Sequence, residues 1–274
     1  MKNDNGKTAI ITGAGSGIGR ELSLLMGKRG ACVIVCDLNQ AAADETVGLI
    51  EEKKGTAEAR ILNVSDFESF QIIANETQEK NGSIDYLFNN AGIGVGGEAR
   101  DFTINDWRAV LDVNLYGVIN GITSVYSIMT KQKFGHIVNT ASLDGLVPFP
   151  MHLSYTASKY AVVGLSLALR IEGDPLGVRV SVACPGRVET SIFDATRLVN
   201  TDREKTMKIV NAAPSITAKT CAKRIVEGMD RNDDLIIPSA YARMMWGLER
   251  FAPTFVHDIM RFTQKWVSDF RVEK

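Results

Sequence analysis

The chain has 274 residues and a formal net charge of −1, with 45% hydrophobic and 23% charged residues. That length and balance describe a globular chain with ample material for a full core. The near-neutral charge removes any electrostatic case for nucleic acid, and no stretch approaches the ~18–20 apolar residues of a membrane span.

In chain order, "KTAIIT" reads as a buried strand, and "GIGRELSLLMGKRG" as a helix that stops at Gly30. "CVIVCD" is a second strand, followed by a helix over "NQAAADETVGLIEEKKG" that Gly55 closes. "AEARILNV" is a third strand, and a helix runs from Asp66 to about Lys80. "IDYLFNNAG" is a fourth strand entering a turn, before a long helix from Asn105 to Gln132. "GHIVNTAS" is the fifth strand, 154–172 a helix, "VRVSVACPG" the sixth strand and "DDLIIP" the seventh. Strands alternating with helices predict an α/β fold: a doubly wound, mostly parallel, Rossmann-type sheet with helices on both faces. No repeat or linker divides the chain, so one catalytic unit over 1–274 is expected.

Cys32, Cys36, Cys184 and Cys221 form no C-x-x-C pair, and three lie in apolar, strand-like runs. They read as buried free thiols in a reducing compartment. The apolar run near the N-terminus spans four residues, too short for a signal-peptide core. A cytoplasmic location is expected, and no metal.

The first strand runs into "TGAGSGIG", with Gly13, Gly15, Gly17 and Gly19. Ile18 stands where the last glycine of G-x-G-x-x-G would fall. The physical task is the same: a tight turn brings backbone N–H groups to a pyrophosphate at a helix N-terminus. About 20 residues on, the second strand ends in Asp37, the place of a ribose-binding carboxylate. A 2′-phosphate would meet that negative charge, Leu38 is not basic, and neither is Ser16. NAD is therefore expected over NADP.

"SYTASK" places Tyr155 and Lys159 four residues apart, on one helix face. A phenol titrates near pH 10, and a nearby ammonium favours the phenolate. The pair then suits a proton acceptor for alcohol oxidation or a donor for ketone reduction. Thirteen residues upstream, Ser142 follows the fifth strand, at the sheet edge where parallel folds form their ligand crevice.

Taken together, "TGAGSGIG", "NNAG" at 89–92, "VNLYG" around Asn114, Ser142, "YTASK" and "PGRVET" at 185–190 resemble the short-chain dehydrogenase/reductase superfamily, from about Lys7 to Pro238. The resemblance implies a catalytic set of Asn114, Ser142, Tyr155 and Lys159. Tyr155 would exchange the proton, Lys159 would bind the nicotinamide ribose and lower the tyrosine pKa, and Ser142 would hold the substrate oxygen. Asn114 would position a water in a proton relay. Gly13, Ser16, Gly17, Ile18 and Gly19 would hold the cofactor with Asp37. Asn90 and Val113 would line its adenosine side, and Val188 and Thr190 would hold the carboxamide. The family usually has Asp-Val after the third strand, where this chain has Asn63-Val64. An Asn carbonyl accepts the same hydrogen bond from adenine.

The substrate region includes Leu143, Leu146, Phe149, Met151, His152 and Arg187, mostly apolar and suited to a hydrophobic alcohol or ketone. His152 is either a polar substrate contact or a plain loop histidine; Arg187 meets an acidic substrate group or forms a surface salt bridge. The resemblance makes 191–214 a mobile lid. Beyond Pro238, Met244, Leu248, Phe251, Phe255, Ile259, Phe262, Trp266 and Phe270 recur at steps of three or four, so 239–274 reads as a helical extension broken into two helices at Pro253. Its apolar stripe would pack on the body, join subunits, wall the substrate site or touch a membrane. The leading expectation is an NAD-dependent dehydrogenase of a secondary alcohol such as a hydroxysteroid or bile acid. The alternatives are a 3-oxoacyl-thioester or other carbonyl reductase, and a non-catalytic dinucleotide-binding regulator. The family pattern implies a homodimer or homotetramer paired through the long helices around the fifth strand.

Overall fold

The structure, a computed structural model, describes residues 3–272. Positions 1 and 2, and the last two positions of the expected 239–274 extension, lie outside the described residues. Seven parallel strands form the central sheet: β1 (Thr8–Thr12), β2 (Cys32–Asp37), β3 (Thr56–Ile61), β4 (Tyr86–Asn89), β5 (Gly135–Thr140), β6 (Val178–Ala183) and β7 (Leu235–Ile236). Their spatial order is β7-β6-β5-β4-β1-β2-β3. The order reverses at β1, whose neighbours are β2 and β4. A crevice opens at the C-terminal strand ends there, as the doubly wound topology requires.

Alternation along β1 assigns its side chains to two layers. Ala9 and Ile11 face α1 (Gly17–Lys28), α2 (Gln40–Glu51) and α9 (Ala218–Arg231), and pack with Leu22, Met26, Ile50 and Ile225. Ile10 faces the opposite side and packs with Phe70 of α3 (Phe67–Asn81) and Val125 and Met129 of α5 (Gly117–Gln132). All five β1 residues are buried, whereas the edge strand β3 is half exposed.

The third strand ends at Ile61, so Asn63 and Val64 lie in the following loop. The expected long helix is present with an internal change of winding: α4 (Ile104–Leu111) passes through one π turn (Asp112–Tyr116) into α5. Such turns arise where a helix must re-aim a side chain, and Asn114 is buried at the middle of this one. α6 spans Leu153–Gly173. The 191–214 segment holds α7 (Ile192–Ala195) and α8 (Arg203–Ala212), and Arg197–Leu198 pairs in parallel with Val95–Gly96. The extension forms α10 (Ala240–Phe251) and α11 (Pro253–Val267), with Pro253 opening the second helix. No helix among the described residues is long and apolar enough to cross a membrane.

Candidate active site

The turn after β1 depends on missing side chains. Gly13 and Gly17 have φ of +62° and +53°, a region that disfavours other residues. A Cβ on Gly15 would stand 2.8 Å from Asp37 Oδ2, and one on Gly19 would collide with the Gly13 carbonyl oxygen. The backbone therefore closes tightly over the start of α1. Ser16 precedes that helix without capping it, and no acidic side chain occupies its first turn. Those features leave the helix N-terminus suited to an anion.

Asp37 is joined directly to this loop. Its Oδ2 accepts the Gly15 N–H at 2.8 Å and its Oδ1 the Asn39 N–H at 2.9 Å. Each carboxylate oxygen keeps a further lone pair for an incoming hydroxyl. Arg20, the basic side chain beside the loop, donates to the Gly15 carbonyl and pairs with Glu45 at 2.6 Å. Thr190 packs on the same loop, since a Cβ on Gly17 would lie 3.0 Å from its methyl group. Val188 is buried beside it. These residues fit a dinucleotide: a glycine cradle at a helix N-terminus, with a carboxylate one strand away.

Asn90 and Asn63 are placed differently from a simple cofactor contact. Asn90 Nδ2 donates to the Thr12 carbonyl at 3.1 Å, and its Oδ1 accepts from Thr140 Oγ1 at 3.4 Å, so it joins the ends of β1 and β5. Asn63 Oδ1 accepts from the backbone and hydroxyl of Ser65. Val64 is buried, and its carbonyl accepts from Asn120 at 2.9 Å. Val113 packs against the buried cluster on that side of the sheet.

The four catalytic candidates converge at the C-terminal edge of β5. Lys159 is buried, and its Nζ donates to the Thr140 carbonyl at 2.9 Å and lies 5.4 Å from the centre of the Tyr155 ring. Asn114 Oδ1 accepts the Ile93 N–H at 2.8 Å, and Nδ2 donates to the Ile93 carbonyl at 3.0 Å and to Ser158 Oγ at 3.3 Å. The side chain that the π turn aims inward thus holds the "NNAG" loop against α6. Gly92 leaves open the space a Cβ would fill, 3.3 Å from Asn114 Oδ1 and 3.6 Å from Lys159 Nζ.

The electrostatics depart from the sequence expectation at Tyr155. Burial pushes the phenol up and the Asp144 carboxylate adds to this, while a hydrogen bond from Ser142 opposes them; the net direction is upward, not downward. The helical spacing of the lysine is as expected, but burial and Asp144 set the direction. Burial also depresses Lys159 to about 8, against the opposing influence of Cys184 and Asp144. The ammonium therefore stays predominantly charged at neutral pH.

A family model described as short chain dehydrogenase matches residues 7–200. The chain belongs to the short-chain dehydrogenase family. It is 37% identical to the 3-oxoacyl-[acyl-carrier-protein] reductase FabG of Thermotoga maritima over 69% of this chain and 77% of that protein. It is 32% identical to the probable oxidoreductase EphD of Mycobacterium tuberculosis over 92% of this chain, but spans 44% of that relative's length. The solved structure of a short chain dehydrogenase/reductase from Burkholderia phymatum, in complex with NAD, superposes with a TM-score of 0.84 at 31% identity, covering 91% of this chain and 95% of that one.

Two sets of residues around the short-chain dehydrogenase centre escaped the sequence reading. Asp144 accepts from Ser142 Oγ at 3.1 Å through Oδ1, and its Oδ2 lies 3.1 Å from His152 Nδ1. Its position two residues after Ser142 was the available signal. Farther out, the 191–214 segment is joined to the chain's C-terminal end. Arg271 grips Asp101 through two bonds of 2.9 and 3.0 Å, and Asn200 donates to the same carboxylate at 3.0 Å. The Asp202 N–H donates to the Phe270 carbonyl at 2.8 Å, and the Val272 N–H to the Asn200 carbonyl at 3.0 Å. Arg197 pairs with Asp106 on the opposite side. Spacing could not reveal contacts between residues 170 positions apart.

The extension packs on the body beside Ser142. Ala242, Met245 and Val256 share a buried cluster with Leu143 and Val147, against which Leu146 and Phe149 also pack. Phe251, Phe255, Phe262 and Trp266 remain exposed on the outer side of the two helices. Arg187 donates to Asn211 at 2.8 Å and lies over the Phe193 ring.

Proposed function

We propose that the protein is an NAD-dependent dehydrogenase that interconverts a secondary alcohol and its ketone on a lipophilic body such as a hydroxysteroid or bile acid. The observation that carries this reading is the convergence of the Tyr155 phenol, the Ser142 hydroxyl and the buried Lys159 at the C-terminal edge of the sheet. In the oxidation direction Tyr155, as phenolate, takes the carbinol proton while the Ser142 hydroxyl, turned from Asp144 Oδ1, donates a hydrogen bond to the carbinol oxygen. Lys159 keeps a positive charge 5.4 Å from the centre of the Tyr155 ring and would bind the nicotinamide ribose. A water beside Gly92, between Asn114 and Lys159, would carry the proton outward. Bound NAD would accept the hydride, and its cationic ring would favour the phenolate against burial.

The choice of NAD rests on Asp37, which lies where the adenosine ribose would sit and would repel a 2′-phosphate. Gly13 to Gly19 would hold the pyrophosphate, Asn63, Val64 and Val113 would line the adenosine side with Asn90 bracing the adjoining loop from β1 to β5, and Val188 and Thr190 would hold the carboxamide. The chain works as one catalytic unit, with 191–214 as lid and α10 and α11 as an outer wall. Tyr116, Ile119, Leu167 and Ile171, exposed on α5, α6 and the π turn, suit pairing of like subunits through these helices. The four free thiols, three of them buried, suit a reducing, cytoplasmic setting.

The test is absorbance at 340 nm with NAD or NADP and a panel of hydroxysteroids, bile acids and aliphatic alcohols. Turnover with NAD, lost by about 10²–10⁴-fold in Tyr155→Phe, is expected. Turnover of a 3-oxoacyl thioester with NADPH alone would favour the carbonyl-reductase reading, to which the similarity to FabG lends weight.

A further inference from the structure

The Ser142–Asp144–His152 chain places a polar group beside the reacting centre that the proton chemistry does not use. Asp144 is confined, with its side chain 15% exposed, and both its oxygens are engaged. His152 is 38% exposed, and its ring meets that of Tyr155 edge to face at a 6.5 Å centroid separation. Its Cδ2 edge lies over Gly96, 3.9 Å from where a Cβ would be, at the seam where Leu198 of the lid approaches. With Nδ1 turned to Asp144, the geometry leaves Nε2 directed away from that carboxylate. Leu143 and Val147, which follow Ser142 in the chain, are buried with the extension, and Phe149 packs on that cluster.

On the reading that Tyr155 and Ser142 act on a carbinol, we infer that His152, held by Asp144, is a second oxygen-binding subsite, selecting substrates with a carbonyl or carboxylate oxygen on the carbon next to the reacting one. Three observations support the class. The imidazole is rigidly oriented, because a carboxylate fixes one nitrogen and so sets which way the other points. Its neighbour is the phenol itself, so a group it binds is close to the reacting carbon and not at the far end of a long substrate. Leaving a desolvated imidazole nitrogen without a partner is unfavourable, so a simple alcohol is penalised where an oxygen-bearing one is not. The Asp144 hydrogen bond and charge also raise the His152 pKa, overcoming the opposing effect of burial. This favours the doubly protonated ring, a donor at Nε2.

The experiment compares cyclohexanone with 1,2-cyclohexanedione in reduction, and cyclohexanol with 2-hydroxycyclohexanone in oxidation, using both NAD and NADP couples. Wild type should show kcat/KM at least ten-fold higher for the dioxygenated member of each pair. His152→Phe should collapse that ratio towards one, chiefly through KM, and His152→Gln, which keeps a donor, should restore part of it. A ratio near one in wild type, with turnover intact, would overturn the subsite and leave the dehydrogenase reading standing. So would a ratio unchanged in His152→Phe. Failure of wild type to turn over any of the four probes would overturn the subsite together with the carbinol reading on which it rests.

Discussion

Replacing Lys159 by methionine should abolish turnover and, at neutral pH, make the protein more stable. The ammonium is buried and its pKa falls from 10.5 to about 8 on folding. The unfolded chain therefore binds more protons than the folded one between those values, so stability attributable to this group rises as pH climbs from about 8 to 10.5. Below pH 8 the full desolvation cost is present. At 1.36 kcal/mol per pKa unit, the shift corresponds to about 3 kcal/mol as an upper figure. Loss of the 2.9 Å bond to the Thr140 carbonyl returns about 1 kcal/mol, leaving a net gain of about 2 kcal/mol. For a chain of this size that is a rise in Tm of roughly 4–8 °C. Thermal unfolding followed by circular dichroism at pH 7, 8, 9 and 10 measures it. The excess stability of Lys159→Met should shrink across this range. A variant less stable than wild type at pH 7, or a difference that does not change between pH 7 and 10, would refute the reasoning.

Four further outcomes are expected. Gly19→Ala should lose about 1–3 kcal/mol of stability by overpacking and bind NAD at least ten-fold more weakly by calorimetry, because its methyl meets the Gly13 backbone and, at 2.7 Å, Asn90 Nδ2. Gly48→Ala, inside α2 with nothing within 4 Å of the new methyl, should instead gain about 0.5–1 kcal/mol. Asp37→Ser should lower kcat/KM with NAD at least ten-fold and shift the NAD-to-NADP ratio towards NADP; an unchanged ratio would remove the ribose role from this carboxylate. Arg271→Ala should speed hydrogen exchange at the Asp202 and Val272 amides and raise KM, since it releases the clamp that holds Asp101 to the lid segment. Unchanged exchange at both amides would show that Arg271 does not hold the segment.

Much of the frame is readable from local order. The buried run in "KTAIIT", the glycine spacing before α1 and the four-residue step from Tyr155 to Lys159 each follow from the geometry of one strand, one turn or one helix. These determined the parallel sheet, the anion-binding turn and the shared face of phenol and ammonium. The break at Pro253 was equally legible, because proline opens a helix readily but interrupts one internally. The third strand's extent was less so: the apolar Leu62 and Val64 continue its pattern, yet the backbone leaves the sheet at Ile61.

The sequence by itself determined which chemical groups are present and which of them share a strand, turn or helix face, because those relations depend on backbone periods of two and 3.6 residues. Only the tertiary structure decided the direction of the Tyr155 pKa. A lysine at i+4 is a local fact, but the opposing burial comes from elements gathered across the fold, and Asp144 adds its charge from the turn after β5. The same holds for the π turn that sends Asn114 to Ile93 and for the grip of Arg271 on Asp101. Desolvation and long-range pairing depend on what surrounds a residue in space, which no spacing along the chain encodes.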